Sequence, residues 1–450
     1  MMDAPLTQPV MPPRWTAQGD GEQHTDAPVG MELVELDALG LAQKAALRQR
    51  WSTLQHKGFQ WLGSAGSDWA RVHACGFTHI LSASKAQQPC FMIALRLLGR
   101  RILVCSGIED SLNLYTAVVC ADAMSAGLVG SIVEQASELG FDGLHLGPLP
   151  AAFFQSLEEH DVCVDDTHAS EGHAGEGIVT PLPVARRSSF ELALPSGMSR
   201  AGTTYSLPTG SLPICAASRS HLPSRNARRS LRKSQKVLET VGELSTVWTG
   251  SGDAAFDSAL AELLDWKRQW LERKAYWGGS LRSSRIHREI DALVSAGHEG
   301  MGIHSLYVGD RAVSHLLVLT GDNGQARQTT EDYGYATGLI SASSPEHQSA
   351  SPAKVHMSLL QSGWGPIAPP THFDMLPQHE EYKLRLGAQP IPLFERSHAT
   401  TRRTRWLFRG LKLRKMLRTK VRETLERLPL PVRRLIVISL GKLKELSGSR

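Results

Sequence analysis

The chain of 450 residues is 41% hydrophobic and 21% charged, the composition of a globular protein long enough for two or three domains at about 100–200 residues each. No run approaches the ~18 consecutive apolar residues of a membrane span, because the longest apolar stretches lie only around residues 90–99 and 433–441. The net charge of +5 conceals an asymmetry: residues 401–450 hold 16 Lys and Arg against 3 acids, and residues 1–400 hold 33 against 41. Any argument about an anionic partner therefore concerns the tail.

Residues 1–30 are rich in Pro, Gly and acid and have no apolar segment, which predicts a disordered leader rather than a signal peptide and a cytoplasmic location. The six cysteines form no CxxC pair and no His-paired cluster, so they are expected as buried free thiols and no metal is predicted.

From residue 31 to 57, Leu36, Leu39, Ala46, Leu47, Trp51 and Leu54 recur at helical spacing. "PCFMIALRLLG" (89–99) and "RRILVCSG" (100–107) then predict a hairpin, residues 121–139 a helix ending at Gly140, and "FDGLHLGPLP" (141–150) a strand. Residues 165–210, thick with Gly, Ser, Thr and Pro, are expected as a connector of weak structure. Helices follow at 224–239 (strongly basic), 254–276 and 283–296. Strands follow at 302–310, 311–321 and 325–336. At 351–363 a helix is predicted with Ser351 as N-cap and Pro352 at the first helical position, and "THFDML" (371–376) is the last strand. The two halves rhyme: each runs through an apolar hairpin, a helix, a glycine and a strand ending in Leu-Pro. The expected architecture is an α/β protein with a mixed sheet. It comprises a leader (1–30), an N-terminal lobe (31–164), a connector (165–210), a C-terminal lobe (211–398) and a basic helical tail (399–450).

The stretch 374–385 carries Asp374, Leu376, Glu380, Tyr382, Lys383 and Arg385. In this order, after a hairpin and a Ser-Pro-initiated helix, it resembles the GNAT-like acyltransferases of bacterial cellulose and exopolysaccharide biosynthesis, relatives of the Fem-type aminoacyl transferases. "RRSLRKSQKVLE" (228–239), "LLDWKRQW" (263–270), "SPAKVHM" (351–357) and "GFQWLGSAGSDW" (58–69) extend the resemblance over most of residues 31–395. Three positions depart from it: Ala353 and Gln378 replace glycines, and Ser343-Ser344 replaces an aromatic-Asp pair. No glycine-rich pyrophosphate signature is present.

The resemblance implies tandem GNAT-like lobes. It also implies acetyl-CoA or another acyl-CoA as donor, seated in a splay between two strands with its pyrophosphate on the N-terminus of the next helix, where unpaired amides and the helix dipole favour an anion. Ser351, Lys354 and Tyr333 would then contact the donor. Glu380 is the first candidate for a base, Tyr382 for a proton donor, and Asp374, His315 and Asp332 complete the catalytic candidates. Lys383, Arg385, Arg229 and Arg232 are candidates for an anionic acceptor or donor group. Each has a plainer alternative: Asp374 as a turn residue, Glu380 and Lys383 in a surface ion pair, His315 as a satisfied core histidine. The acceptor would be a sugar or small metabolite. Use of aminoacyl-tRNA, or a scaffold without activity, is the rival reading.

In the tail, Leu413, Leu417, Val421 and Leu425 recur every four residues among Lys and Arg. That pattern fits an anionic membrane surface or a protein partner, with nucleic acid least favoured. The first of these would make the protein peripheral at the inner membrane.

Overall fold

The computed structural model describes residues 30–57, 69, 72, 76–85, 88–99, 101–104, 117–121, 132–133, 138, 140–150, 153–154, 198–208, 225–275, 284–295, 300–320, 335–362, 372–375, 381–437 and 439. They form one mixed sheet of 13 strands, in the order β1-β2-β3-β4-β6-β13-β7-β12-β11-β10-β9-β8, with β5 also on β3.

The N-terminal half contributes β1 (Gly30–Glu35), α1 (Leu41–Lys57), β2 (His79–Lys85), β3 (Gln88–Leu98), β4 (Ile102–Val104), β5 (Val118–Cys120) and β6 (Gly143–Pro150). The expected helix from residue 31 begins only at Leu41, because residues 31–35 pair in register with β2 from Ala83 to His79. Gly99 makes the β3–β4 turn at φ 70, as the hairpin required. The predicted helix at 121–139 lies almost wholly outside the described residues. Trp51 is fully buried and meets the Trp69 ring edge-on at 5.8 Å, anchoring α1 on one face. On the other face Phe91, Ile93, Leu95, Leu144 and Phe153 form a second core layer.

The C-terminal half contributes β7 (Met198–Pro208), α2 (Arg225–Glu239), β8 (Leu244–Gly250), α3 (Phe256–Arg273), α4 (Ser284–Ser295), β9 (Met301–Val308), β10 (Arg311–Thr320), β11 (Tyr335–Ser343), α5 (Pro352–Ser362), β12 (His372–Asp374), α6 (Glu381–Arg385), β13 (Gln389–Ala399) and α7 (Arg402–Arg427). Helix α3 buries Phe256, Leu260, Leu263 and Trp266 at helical spacing, and Asp257 and Arg273 complement its dipole at the two ends. Of the expected strand 325–336, only Tyr335 and Ala336 are strand. Residues 325–334 lie outside the described set.

The two halves share a pairing pattern. In each, three neighbouring strands are antiparallel (β1-β2-β3, β8-β9-β10), the next continues antiparallel (β4, β11), and a parallel partner follows (β6, β12). The final strands are exchanged. β7 follows β6 in the chain but pairs with β12, and β13 follows β12 but pairs with β6 along Leu393–Ala399. β7 and β13 also pair with each other. The end of the expected connector is thus a central strand, and a cut between residues 164 and 211 does not separate two self-contained units.

We therefore expect neither residues 31–164 nor residues 211–398 to fold alone, since the first would leave β6 without β13 and the second would leave β12 without β7 and β13 without either neighbour. Co-expression of 1–215 with 216–450 should restore the resistance to limited proteolysis shown by the intact chain.

Candidate active site

Parallel pairing between β11 and β12 covers three positions: Tyr335↔His372, Ala336↔Phe373 and Thr337↔Asp374. β12 ends there, while β11 runs six residues further to Ser343. At the point of separation the β10–β11 register shifts, with Val318 opposite Gly338 and Leu317 opposite Ile340, so Leu339 is an extra residue in a bulge. Gly338 is required here, because a Cβ on it would come within 2.5 Å of Phe373 Cζ. The result is a seam that is closed at its start and leaves the backbone edge of β11 without β12 along 338–343. That edge can receive an extended ligand through main-chain hydrogen bonds.

Around the seam the sequence candidates separate. Asp374 is fully buried at its floor, in register with Thr337 on one side and Ser206 on the other. Lys383 is buried, and its Nζ donates to Met375 O at 2.8 Å. It therefore ties α6 to the residue following β12, and it is buried where a surface position was the plainer expectation. Glu380 lies outside the described residues, in the short segment 376–380 whose two flanks that bond pins together. Tyr382 is half-buried against the cluster of Met357, Leu360, Phe373 and Leu386, and Arg385 is exposed. Asp332 and Tyr333 lie outside the described residues, in the segment leading into β11.

His315 lies in a buried hydrogen-bonded chain, the plainer of its two expected roles. It is 1% exposed, with Nε2 at 3.0 Å from Glu262 Oε2, Nδ1 at 2.8 Å from Ser305 Oγ and its ring stacked on Trp266 at 4.8 Å. The carboxylate fixes the tautomer: Nε2–H donates to Glu262 and Nδ1 accepts from Ser305. Burial lowers its pKa, and the bond to Glu262 and that residue's charge oppose the shift. On the opposite face His304 Nδ1 lies 2.7 Å from His356 Nε2, His356 Nδ1 lies 3.0 Å from Ser314 Oγ, and Ser314 donates to Ala342 O at 3.2 Å. One assignment satisfies this chain: each neutral histidine donates through Nδ1, and the relay ends on a carbonyl of β11. Burial, followed by the neighbouring His304 and His315, holds His356 well below the usual imidazole range.

Helix α5 begins as predicted, with Ser351 before Pro352 at the first helical position, and Ser351 adopts φ 49. The first turn is poor in free amides. Pro352 has none, Ser351 N–H donates to Gln348 O, and the Lys354 and Val355 N–H groups donate to Ser351 O. Cationic side chains supplement it. Lys354 is exposed in that turn, and α2, which packs beside α5, exposes Arg229 and Arg232. Ser344, in the pair that departs from the family pattern, accepts from Glu346 N at 3.3 Å and caps the 3-10 segment Pro345–Ala350.

Three residues beyond the sequence candidates lie on α3 beside these strands. Lys267 Nζ donates to Ser341 O at 3.0 Å, reaching β11 in its unpaired stretch, and stacks over Trp270 at 4.8 Å. Glu262 and Trp266, one helical turn apart, together hold His315. Both features fall on or beside "LLDWKRQW", and the four-residue spacing of Glu262 and Trp266 was the available signal. The His304–His356 contact had none, being 52 residues apart.

Residues 225–384 match the family model of the acetyltransferase (GNAT) domain. The matched region contains the seam, α2 through α5 and most of α6. No curated protein matches the chain. Solved structures similar to it are distant. The C-terminal domain of a protein described as a lysylphosphatidylglycerol synthetase, from Agrobacterium fabrum, is 11% identical, covering 82% of this chain and 96% of that one at TM-score 0.44. L-PGS from Bacillus licheniformis is 12% identical, with 79% and 92% covered at 0.41. A tandem GNAT protein from the clavulanic acid biosynthesis pathway is 12% identical, with 83% and 99% covered at 0.35.

The buried histidines set a pH dependence. Folded His356, His315 and His145 all have lowered pKa values, with burial the largest cause, so below the unfolded value of about 6.5 the unfolded chain binds more protons. Stability is complete above that pH and falls as pH drops through it, by up to about 1.4 kcal/mol per pH unit for each histidine still neutral in the fold. The urea midpoint should therefore fall between pH 7.5 and 5.5. His356→Gln, less stable at pH 7.5, should lose less over that interval.

Proposed function

We propose that the GNAT domain moves an acyl group, acetyl in the simplest case, from acyl-CoA to an amine or hydroxyl of a sugar or small metabolite used for cellulose or another extracellular polysaccharide. The observation that carries the acyl-transfer reading is the stretch of β11 past Thr337 that β12 does not pair, beginning at the bulge at Leu339. Such an edge suits the two amides of an extended pantetheine arm. The polysaccharide link rests on the resemblance of residues 374–385 alone.

In this reading the donor's phosphates lie toward α5, met by Lys354, Ser351, Arg229 and Arg232. Because the first turn of α5 offers few amides, the side-chain cations carry more of the phosphate contact than backbone does. Tyr333 stays a candidate donor contact from the segment before β11, with Asp332 beside it. The acceptor's nitrogen or oxygen adds to the thioester carbonyl, its proton passes to a base, the C–S bond breaks, and the sulfur leaves as thiolate or takes a proton. Glu380 is assigned as the base and Tyr382 as the acid, both following the open end of the seam. Asp374, at the floor, orients the chain there, and Arg385, exposed on α6, is the remaining cation for an anionic acceptor.

Acetyl-CoA at 100 times its dissociation constant should stabilise the intact chain by about 2.7 kcal/mol, read as a rise in Tm. Absence of any shift with acetyl-, succinyl- and long-chain acyl-CoA, alongside a shift with aminoacyl-tRNA, would replace the CoA donor by the tRNA one. Once an acceptor is found, Glu380→Gln should lower kcat by about 10²–10⁴ at unchanged Tm. Alanine at both Arg229 and Arg232 should weaken acyl-CoA binding by roughly threefold to tenfold, the modest effect of exposed cations.

A further inference from the structure

Helix α7 has two unlike faces. Its inner face is held on the sheet. Thr404 is buried over Gly143, where a Cβ would come within 2.5 Å of Thr404 Cγ2. Phe408 meets the His145 ring at 6.0 Å, Lys415 reaches Glu395 Oε2 at 3.3 Å, and Leu425 is buried near the far end. Thr401 caps the helix by accepting from Thr404 N at 3.2 Å. The helix is therefore fixed in place, not a loose appendage.

Its outer face is apolar in the middle and cationic at the borders. Trp406 (60% exposed), Leu413 and Leu417 (51% each) and Val421 (41%) recur at intervals of seven, four and four, so they form one stripe. By helical geometry Arg409 and Lys420 border it on one side and Arg403 and Arg414 on the other, all exposed. The helix carries eleven Lys and Arg against Glu423 and Glu426. Past the break at Pro429, residues 430–437 are helical again and expose Leu430, Val432 and Leu435.

A helix that docks on a protein helix borders its apolar seam with charges, often of both signs, that pair with those of the partner. Here long cationic side chains border the stripe on both sides, and their aliphatic stems can lie along apolar material while their heads reach anions. A lipid–water interface meets both demands at once. The remainder of the chain, residues 1–400, carries 33 basic and 41 acidic residues, so an anionic surface attracts the tail and repels the body.

We propose that α7, continued by residues 430–437, is a docking surface for an anionic lipid bilayer. The helix lies in the interface plane with Trp406, Leu413, Leu417 and Val421 at the headgroup–acyl boundary, and its inner face holds β6 and β13 against the membrane side of the protein. This assignment does not depend on the acyl-transfer reading.

The test is co-flotation of the full chain with phosphatidylcholine vesicles, with and without phosphatidylglycerol. The intact protein should float with the anionic vesicles and not with pure phosphatidylcholine, and raising the salt should release it. L413D/L417D alters exposed positions only, so it should keep the parental Tm and bind at least about tenfold less. Failure of the intact chain to float, equal flotation on both vesicle types, or unchanged binding by the double variant would each overturn the proposal. So would retention on nucleic acid without vesicle binding.

Discussion

Parallel pairing between β11 and β12 stops at Thr337 and Asp374 for reasons that lie in single residues. Gly338 makes room for the Phe373 ring, Leu339 adds a residue to one strand, and Lys383 ties α6 to Met375 just after β12. Each device removes a reason for β12 to continue alongside β11. A sheet normally hides its edges. Here, among the described residues, β11 continues in mid-sheet beyond β12, with Lys267 of α3 reaching Ser341 O on it and the buried Asp374 at the end of β12.

The exchange of β7 and β13 gives that seam a rigid frame. Asp374, Ser206 and Gln389 lie in one row across β12, β7 and β13, so the floor of the seam continues into strands that also belong to the N-terminal half. The two parallel seams, β4–β6 and β11–β12, have the same pairing but different surroundings. On the first, α7 packs against the paired positions Gly143 and His145, and His145 bonds Ser397 at 2.7 Å. The second lies within the region that matches the GNAT domain model. One topology thus carries the cationic helix on one half and the candidate site on the other.

The two buried histidine chains flank the same strands. Glu262–His315–Ser305 fastens α3 to β9 and β10 from one face, and His304–His356–Ser314 fastens α5 to β9, β10 and the Ala342 carbonyl from the other. Neutral imidazoles suit this position, since each offers one donor and one acceptor without the cost of burying a charge. They hold in register the helices that border the seam.

Local patterning in the sequence determined the elements that answer to short-range rules: the basic helix α2, the apolar stripe of α3, the adjoining strands β9 and β10, the Ser-Pro start of α5, and the helix α7. It also showed that the chain is built twice on one plan, because turn residues and apolar periodicity recur in each half. Tertiary structure alone decided that residues 30–35 are strand, that the Ser- and Thr-rich segment before residue 208 enters the centre of the sheet, and that His315 and Lys383 are spent on internal bonds. Those outcomes depend on partners tens to hundreds of residues away, and a backbone segment or an ionisable side chain takes its role from whatever hydrogen-bonds it, which spacing along the chain does not encode.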